Sequence, residues 1–215
     1  MERKDRIEDS YNESKLQKLI GDFYMFRDHC IIIRRDYNTY NDLFFSGADE
    51  LLIKTAPVFF NDIAEIMHRD WLLQVCKIMD PSTKKIKGIE HETISIELLN
   101  TQLRKESLLT DKIKELSSQI LAYGDLIKLA RNKTIAHFDR NSAVSGIVLG
   151  DHDEKSLSDF LTHLQQYCDE VGRAIGVGPL DFSASGCKGD VRDLIMVLRQ
   201  YFEVAQQAHG IDDHH

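Results

Sequence analysis

Over about thirty residues the chain repeats an apolar side chain every three to four positions and meets no proline. Leu16, Leu19, Ile20, Phe23, Cys30, Ile33, Tyr37 and Phe44 trace this stripe. A strand would need alternation at every second residue, so the spacing predicts one long helix from roughly residue 14 into the forties. Gly47 interrupts it. Only 3 prolines and 12 glycines occur in 215 residues, and so few breakers favour long helices over many short strands.

The rest of the chain follows the same period. A second helix begins near Thr55, with Pro57 tolerated in its first turn, carries Phe59, Phe60, Ile63, Met67 and Trp71, and stops at Asp80-Pro81. The lysine-rich segment STKKIKGIEHET reads as a loop. Ser95 caps a shorter helix holding Ile96, Leu99 and Leu103. A fourth helix runs from near Thr110 through Ile113, Leu116, Ile120, Tyr123, Ile127 and Ala130 towards His137, after which NSAVSGIVLG breaks the pattern as a short extended piece. Ser156 with Asp159 has a capping signature for a helix carrying Leu157, Phe160, Leu164, Tyr167 and Val171. GVGPLDFSASGCKGD reads as a loop, and Asp190 opens a last helix with Leu194, Val197, Leu198, Tyr201 and Ala205. The expectation is an all-α, up-and-down bundle of five to six helices, one domain over residues 1–215 with 1–13 and 210–215 as frayed tails.

Several classes are excluded or disfavoured. No run of 18 or more apolar residues is present, so no transmembrane helix is expected. The N-terminus MERKDRIEDSYNESKLQ lacks the apolar core of a secretory signal. Cys30, Cys76, Cys168 and Cys187 lie far apart and read as free thiols of a cytoplasmic protein. A formal charge of −8 argues against a general nucleic-acid coat, while leaving room for a local basic cleft.

One segment carries chemistry: Arg131-Asn132-Lys133-Thr134-Ile135-Ala136-His137-Phe138-Asp139-Arg140, at the end of the fourth helix. Arginine and histidine are separated by five positions, and the string RNKTIAHFD resembles the HEPN superfamily signature, in particular its abortive-infection AbiU-like branch. The resemblance extends to Tyr37 and Tyr40 before Leu43-Phe44, the Phe59-Phe60 pair, the Asp80-Pro81 stop and the terminal GDVRDLIMVLRQYF helix. It implies a metal-independent endoribonuclease without cofactor, a homodimer acting in phage defence or as a toxin with a cognate antitoxin, in which two motifs line one cleft.

The residue types suit that chemistry. Metal-free RNA cleavage needs a base for the 2′-hydroxyl, an acid for the leaving 5′-oxygen, and positive charge on the phosphorane. Histidine titrates near neutrality and moves protons, and an arginine fork holds phosphate oxygens without losing charge. His137 is thus the candidate acid or base, Arg131 the candidate transition-state stabiliser, and Asn132 a positioning group. Lys133 and Arg140 are candidates for RNA phosphate, and Asp139 for holding the imidazole tautomer. Products would carry 2′,3′-cyclic phosphate ends, and DNA, lacking the 2′-hydroxyl, would not be cut by this route. In a straight helix, however, positions six apart point about 120° from each other and lie about 9 Å apart along the axis. Either the helix breaks inside the motif or a second copy supplies the facing pair.

Each residue also has a plainer reading. His137 falls seven residues after Ala130 on the apolar stripe and would serve as a buried, carbonyl-bonded histidine. Arg131 would pair with Asp125 or Asp139 on the surface. GVGP with SGCKGD lacks the strand and the Gly-Lys-Ser/Thr of a phosphate loop. Asp151, His152, Asp153 and Glu154 read as a solvated acidic run before a helix rather than a metal site. Lys84, Lys85 and Lys87 form the one dense basic loop, a candidate RNA contact. Two rival classes stand beside the ribonuclease: a non-catalytic binding module for a nucleotide or a partner such as a nucleotidyltransferase, and a helical scaffold in which Arg131 and His137 only stitch a dimer.

Overall fold

The computed structural model describes residues 2–130, 153–183 and 186–209. It is all-α apart from one small hairpin. Element order is α1 (Glu2–Phe44), α2 (Asp49–Thr55), α3 (Pro57–Ile78), β1 (Thr83–Ile86), β2 (Ile89–Glu92), α4 (Ile96–Lys105), α5 (Asp111–Ala130), α6 (Glu154–Ala174) and α7 (Val191–His209). No helix among the described residues is long and apolar enough to cross a membrane. The chain divides into two compact units: residues 1–33 with 72–183, and residues 34–71 with 184–215.

The first unit is built on the N-terminal part of α1. Leu19, Phe23, Phe26, Cys30 and Ile33 are all buried, at alternating spacings of four and three that keep one face inward. Opposite them in the core stand Ile96, Leu99 and Leu103 of α4, Ile113, Leu116, Ile120, Tyr123 and Ile127 of α5, and Phe160, Leu164, Tyr167 and Val171 of α6. Full burial of such a side chain contributes about 1.5–3 kcal/mol over exposure. Two of the polar side chains taken inside are paired across the core. Tyr167 donates its hydroxyl to Asn100 Oδ1 at 3.0 Å, and Gln102 Nε2 donates to Asp22 Oδ2 at 2.6 Å. Phe26 meets Tyr167 edge-on, with ring centres 5.8 Å apart.

Helix ends follow the chemistry of their caps. Ser95 Oγ accepts from Leu98 N at 3.4 Å, as expected for α4. The start of α6 differs from the expectation: Asp153, not Ser156, is the N-cap, and its carboxylate accepts the Ser156 amide at 2.6 Å. A carboxylate there also faces the positive end of the helix dipole. At the far end of α6, Val177 N donates to Gly172 O at 2.8 Å and Gly176 N to Arg173 O at 3.3 Å, with Gly176 at φ +75°. This is the paired turn that closes a helix through a left-handed glycine.

Gly172 is needed for a different reason. A β-carbon there would lie 2.6 Å from the Val177 carbonyl oxygen, which is fixed backbone, and 3.5 Å from Phe23 Cζ. At Gly124 the obstacle is only the end of the flexible Met79 side chain. Alanine favours a helix by about 1 kcal/mol over glycine. Gly172→Ala is nevertheless expected to destabilise by about 1–3 kcal/mol, the usual cost of overpacking, while Gly124→Ala comes out close to neutral. Urea unfolding of both variants beside the wild type checks this, and equal effects would contradict it.

STKKIKGIEHET was expected as a loop and instead forms the antiparallel β1–β2 hairpin, with Thr83 opposite Glu92, Lys84 opposite His91, Lys85 opposite Glu90 and Ile86 opposite Ile89. The turn explains the difference. Lys87 and Gly88 have φ of 51° and 83°, both left-handed, the two-residue geometry whose twist matches paired strands.

In the second unit α1 ends at Phe44, and Gly47 takes φ +80°. The next helix is α2, beyond the five or six anticipated; its seven residues bury a single side chain, Leu52, too few to show a period. Pro57 then opens α3, where its missing amide costs nothing. The C-terminal part of α1 meets α3 through aromatic rings: Tyr37 lies 6.3 Å from Trp71 and Tyr40 6.4 Å from His68. On α7, Ile195 is the buried residue. Leu194, Val197 and Tyr201, expected on the core stripe, stay exposed.

Candidate functional site

The predicted catalytic segment joins two helices that pack on each other. α5 and α6 are in contact, and Tyr123 stacks on Phe160 with ring centres 4.4 Å apart and planes 17° apart. In sequence, residues 131–152 lie between α5 and the N-cap of α6, two helices of the first unit. Arg131, Asn132, Lys133, His137, Asp139 and Arg140 all lie outside the described residues, as does the NSAVSGIVLG run. The buried register of α5 runs through Ile113, Leu116, Ile120, Tyr123 and Ile127; counted onward in sequence it reaches Ala130 and then His137. Asp125, one suggested partner of Arg131, is exposed near the end of α5.

Beside this frame lie groups that are chemically quiet. Burial, and then the hydrogen bond with Cys168, push the Cys30 thiol well above its usual range. Burial likewise raises the Tyr167 phenol. Both are therefore held protonated, and neither is a nucleophile or base near neutral pH. Among the described residues no group of three His, Cys, Asp or Glu side chains is placed to hold a metal ion.

The hairpin is better organised than its sequence suggested. Cross-strand partners share a face, so its register sorts the charges. On one face Lys85 stands opposite Glu90, and Glu92 pairs with Lys18 at 3.1 Å, so the charges are neutralised. The other face carries Lys84 opposite His91 and Ile86 opposite Ile89, with no carboxylate, and Lys87 sits in the turn. All of these residues are exposed. Alternating sides of a strand pair, not the count of lysines, create this basic face.

In the glycine-rich loop before α7, where the sequence superficially suggests a phosphate loop, carboxylates of the chain itself accept the Cys187, Gly189 and Arg192 amides. Asp190 accepts from Cys187 N at 3.0 Å and from Arg192 N at 2.9 Å, and Asp193 accepts from Gly189 N at 2.6 Å. The Cys187 amide first, and then those of Arg192 and Asp193, hold the Asp190 carboxyl below the usual carboxylate range. In the second unit a cleft of about 430 Å³ is lined by Asp42, Ser46, Arg192, Met196, Arg199 and Glu203. Its floor is pinned by Arg192 Nε donating to Asp42 Oδ2 at 2.8 Å. No periodicity connects residues 150 positions apart, so this cleft left no trace in the sequence.

A long helix, a stacked pair of helices and an Arg-x5-His segment joining that pair define a HEPN-type protein. Residues 16–194 match the HEPN family described as AbiU2, and the chain belongs to that family. It is thus an abortive-infection protein of the HEPN class, a class that associates with nucleic acid or with partner proteins. Neither the curated proteins nor the solved structures gave a match.

Proposed function

We propose that this chain is a metal-independent endoribonuclease of the phage-defence or toxin–antitoxin type, acting in the cytoplasm as a homodimer. The observation that carries the reading is family membership across residues 16–194, a span that contains Arg131 and His137 at the HEPN spacing. His137 exchanges the proton of the 2′-hydroxyl or of the leaving 5′-oxygen. Arg131 offsets charge on the phosphorane and Asn132 assists positioning, with Lys133 and Arg140 on neighbouring phosphates and Asp139 orienting the imidazole. The test is end-labelled RNA incubated with purified protein in EDTA. Cleavage leaving 2′,3′-cyclic phosphate ends supports the reading, and intact RNA from structured and unstructured substrates alike rejects it.

Lys84, His91 and Lys87 on the carboxylate-free face of the hairpin would add a phosphate contact outside the motif. Each phosphate neutralised on single-stranded RNA changes the slope of log K against log salt by about 0.7. Lys84→Glu with Lys87→Glu is therefore expected to flatten that slope by about 1–2 for RNA bound to the His137→Ala protein. Fluorescence anisotropy across a salt series measures it, and an unchanged slope removes the hairpin from the interface.

The formal charge of −8 favours a second reading, a non-catalytic module binding a nucleotide or a partner such as a nucleotidyltransferase or antitoxin. That module expresses harmlessly and shows a thermal shift with its ligand. The ribonuclease instead arrests growth until His137 is replaced.

A further inference from the structure

A strand pair satisfies one edge of each strand and leaves the other edge open, and the register of the β1–β2 hairpin shows which groups are left over. A two-residue turn makes Ile86 and Ile89 a hydrogen-bonded pair, and Lys84 with His91 is the next such pair. The Thr93 amide donating to Ser82 O at 2.8 Å continues the series. The intervening Thr83 and Lys85 therefore turn their amides and carbonyls away from β2. Among the described residues none bonds to these outward groups. Every residue of both strands is exposed, and a two-stranded ribbon without a third strand or a packed face is marginal in water. What holds the ribbon on the first unit is polar. Lys18 of α1 pairs with Glu92 at 3.1 Å, and Ser82 N donates to Glu97 Oε2 of α4 at 2.7 Å.

We propose that the outer edge of β1 is a docking site for an acidic, extended peptide of another protein, which adds to the hairpin as a third strand. The edge offers amides and carbonyls together. A peptide backbone answers both, whereas the phosphates of a nucleic acid only accept. Charge then selects the kind of peptide. β1 carries Lys84 and Lys85 and no carboxylate, and Lys87 follows in the turn. β2 is different, because it carries Glu90 and Glu92, the latter already held by Lys18. A second β1 strand would set lysine against lysine, which is unfavourable across strands. The lysines that block self-pairing thus admit an acidic strand. Lys84 and Ile86 share a face, and Ile86 is 48% exposed. The fitting peptide therefore places an acidic side chain opposite Lys84 and an apolar one, two positions away, opposite Ile86.

The inference needs neither RNA cleavage nor the RNA contact assigned to the same lysines. The probe is a fluorescein-labelled peptide of about ten residues repeating Val-Thr-Glu-Thr, titrated by anisotropy against the whole chain from about 1 to 500 µM. Saturable binding is expected, with the Val-Thr-Lys-Thr counterpart at least about tenfold weaker. Lys84→Glu should weaken the acidic probe by at least about tenfold. Lys85→Pro removes an outward amide without touching a ladder bond and should weaken it by a similar factor. Nuclear Overhauser contacts between the α-protons of Thr83 and Glu92 show that the hairpin persists in both variants. N-methylation of alternate probe residues gives a test on the wild-type protein: blocking one set of amides should abolish binding, and blocking the other should spare it. Equal binding by the two methylated sets overturns strand addition, as does an unchanged affinity of Lys85→Pro. Equal binding of the acidic and basic probes overturns the choice of partner. No binding up to about 500 µM overturns the inference and, where RNA is still held through Lys84 and Lys87, leaves the hairpin to RNA.

Discussion

His137→Ala is expected to lower single-turnover RNA cleavage in EDTA by about 10²–10⁴-fold, the range that a positioned acid–base group contributes. Arg131→Ala should cost about 10²–10³-fold, as removal of a donor aimed at transition-state charge does. Arg131→Lys is the more informative change. It keeps the positive charge but loses the planar fork, so a rate close to that of Arg131→Ala means that two-point contact with the phosphate matters, not charge alone. Both positions follow Ala130, the last described residue of α5, so circular dichroism and urea unfolding must first show that the variants retain the wild-type fold. Variants that are folded and cut as fast as wild type would remove Arg131 and His137 from the reaction.

The second large effect is on stability. Phe160→Ala should destabilise the protein by about 3–5 kcal/mol, because truncating a buried aromatic loses its transfer energy and leaves a cavity. Phe160 is fully buried, and its ring lies parallel to that of Tyr123 across the α5–α6 contact. Phe160→Leu retains most of the volume but no ring, and should lose less. A domain of this kind has only about 5–15 kcal/mol to lose, so the alanine variant should unfold at a clearly lower urea concentration. A loss below about 1 kcal/mol would mean that neighbouring side chains refill the space. The same stack joins the two helices between which the Arg-x5-His segment lies in sequence, so its loss would loosen the frame of the proposed site.

Much of this architecture was legible because burial in a helix imposes a period. Phe23, Ile33, Leu99, Ile120, Tyr123, Phe160 and Tyr167 could be placed inside from spacing alone, and all are buried. Ser95 was legible as a cap because few residues can accept an orphan amide. The misses have physical causes too. The hairpin was hidden because Lys87-Gly88 is a weaker turn signal than Asn-Gly, and because its strands are exposed throughout and show no alternation. On α7 two apolar stripes lie side by side, and periodicity cannot tell which one faces the core; the structure buries Ile195 and leaves Tyr201 outside. The Arg-x5-His motif was visible from residue types and spacing, and it lies outside the described residues.

The thiols give this protein an internal stopwatch. Cys30, Cys76 and Cys168 are buried and Cys187 is exposed. Alkylating and disulfide reagents attack the thiolate, which burial suppresses at Cys30. In a native sample one thiol should therefore react at once, and the remaining three only as often as the core opens. Their slow phase reads the free energy of opening with no denaturant. Because Cys30 lies on α1 and Cys168 on α6, with a hydrogen bond between their thiols, either one reports separation of α1 from one of the two helices that frame the proposed site. A ligand that tightens that frame would be seen first as a slower clock.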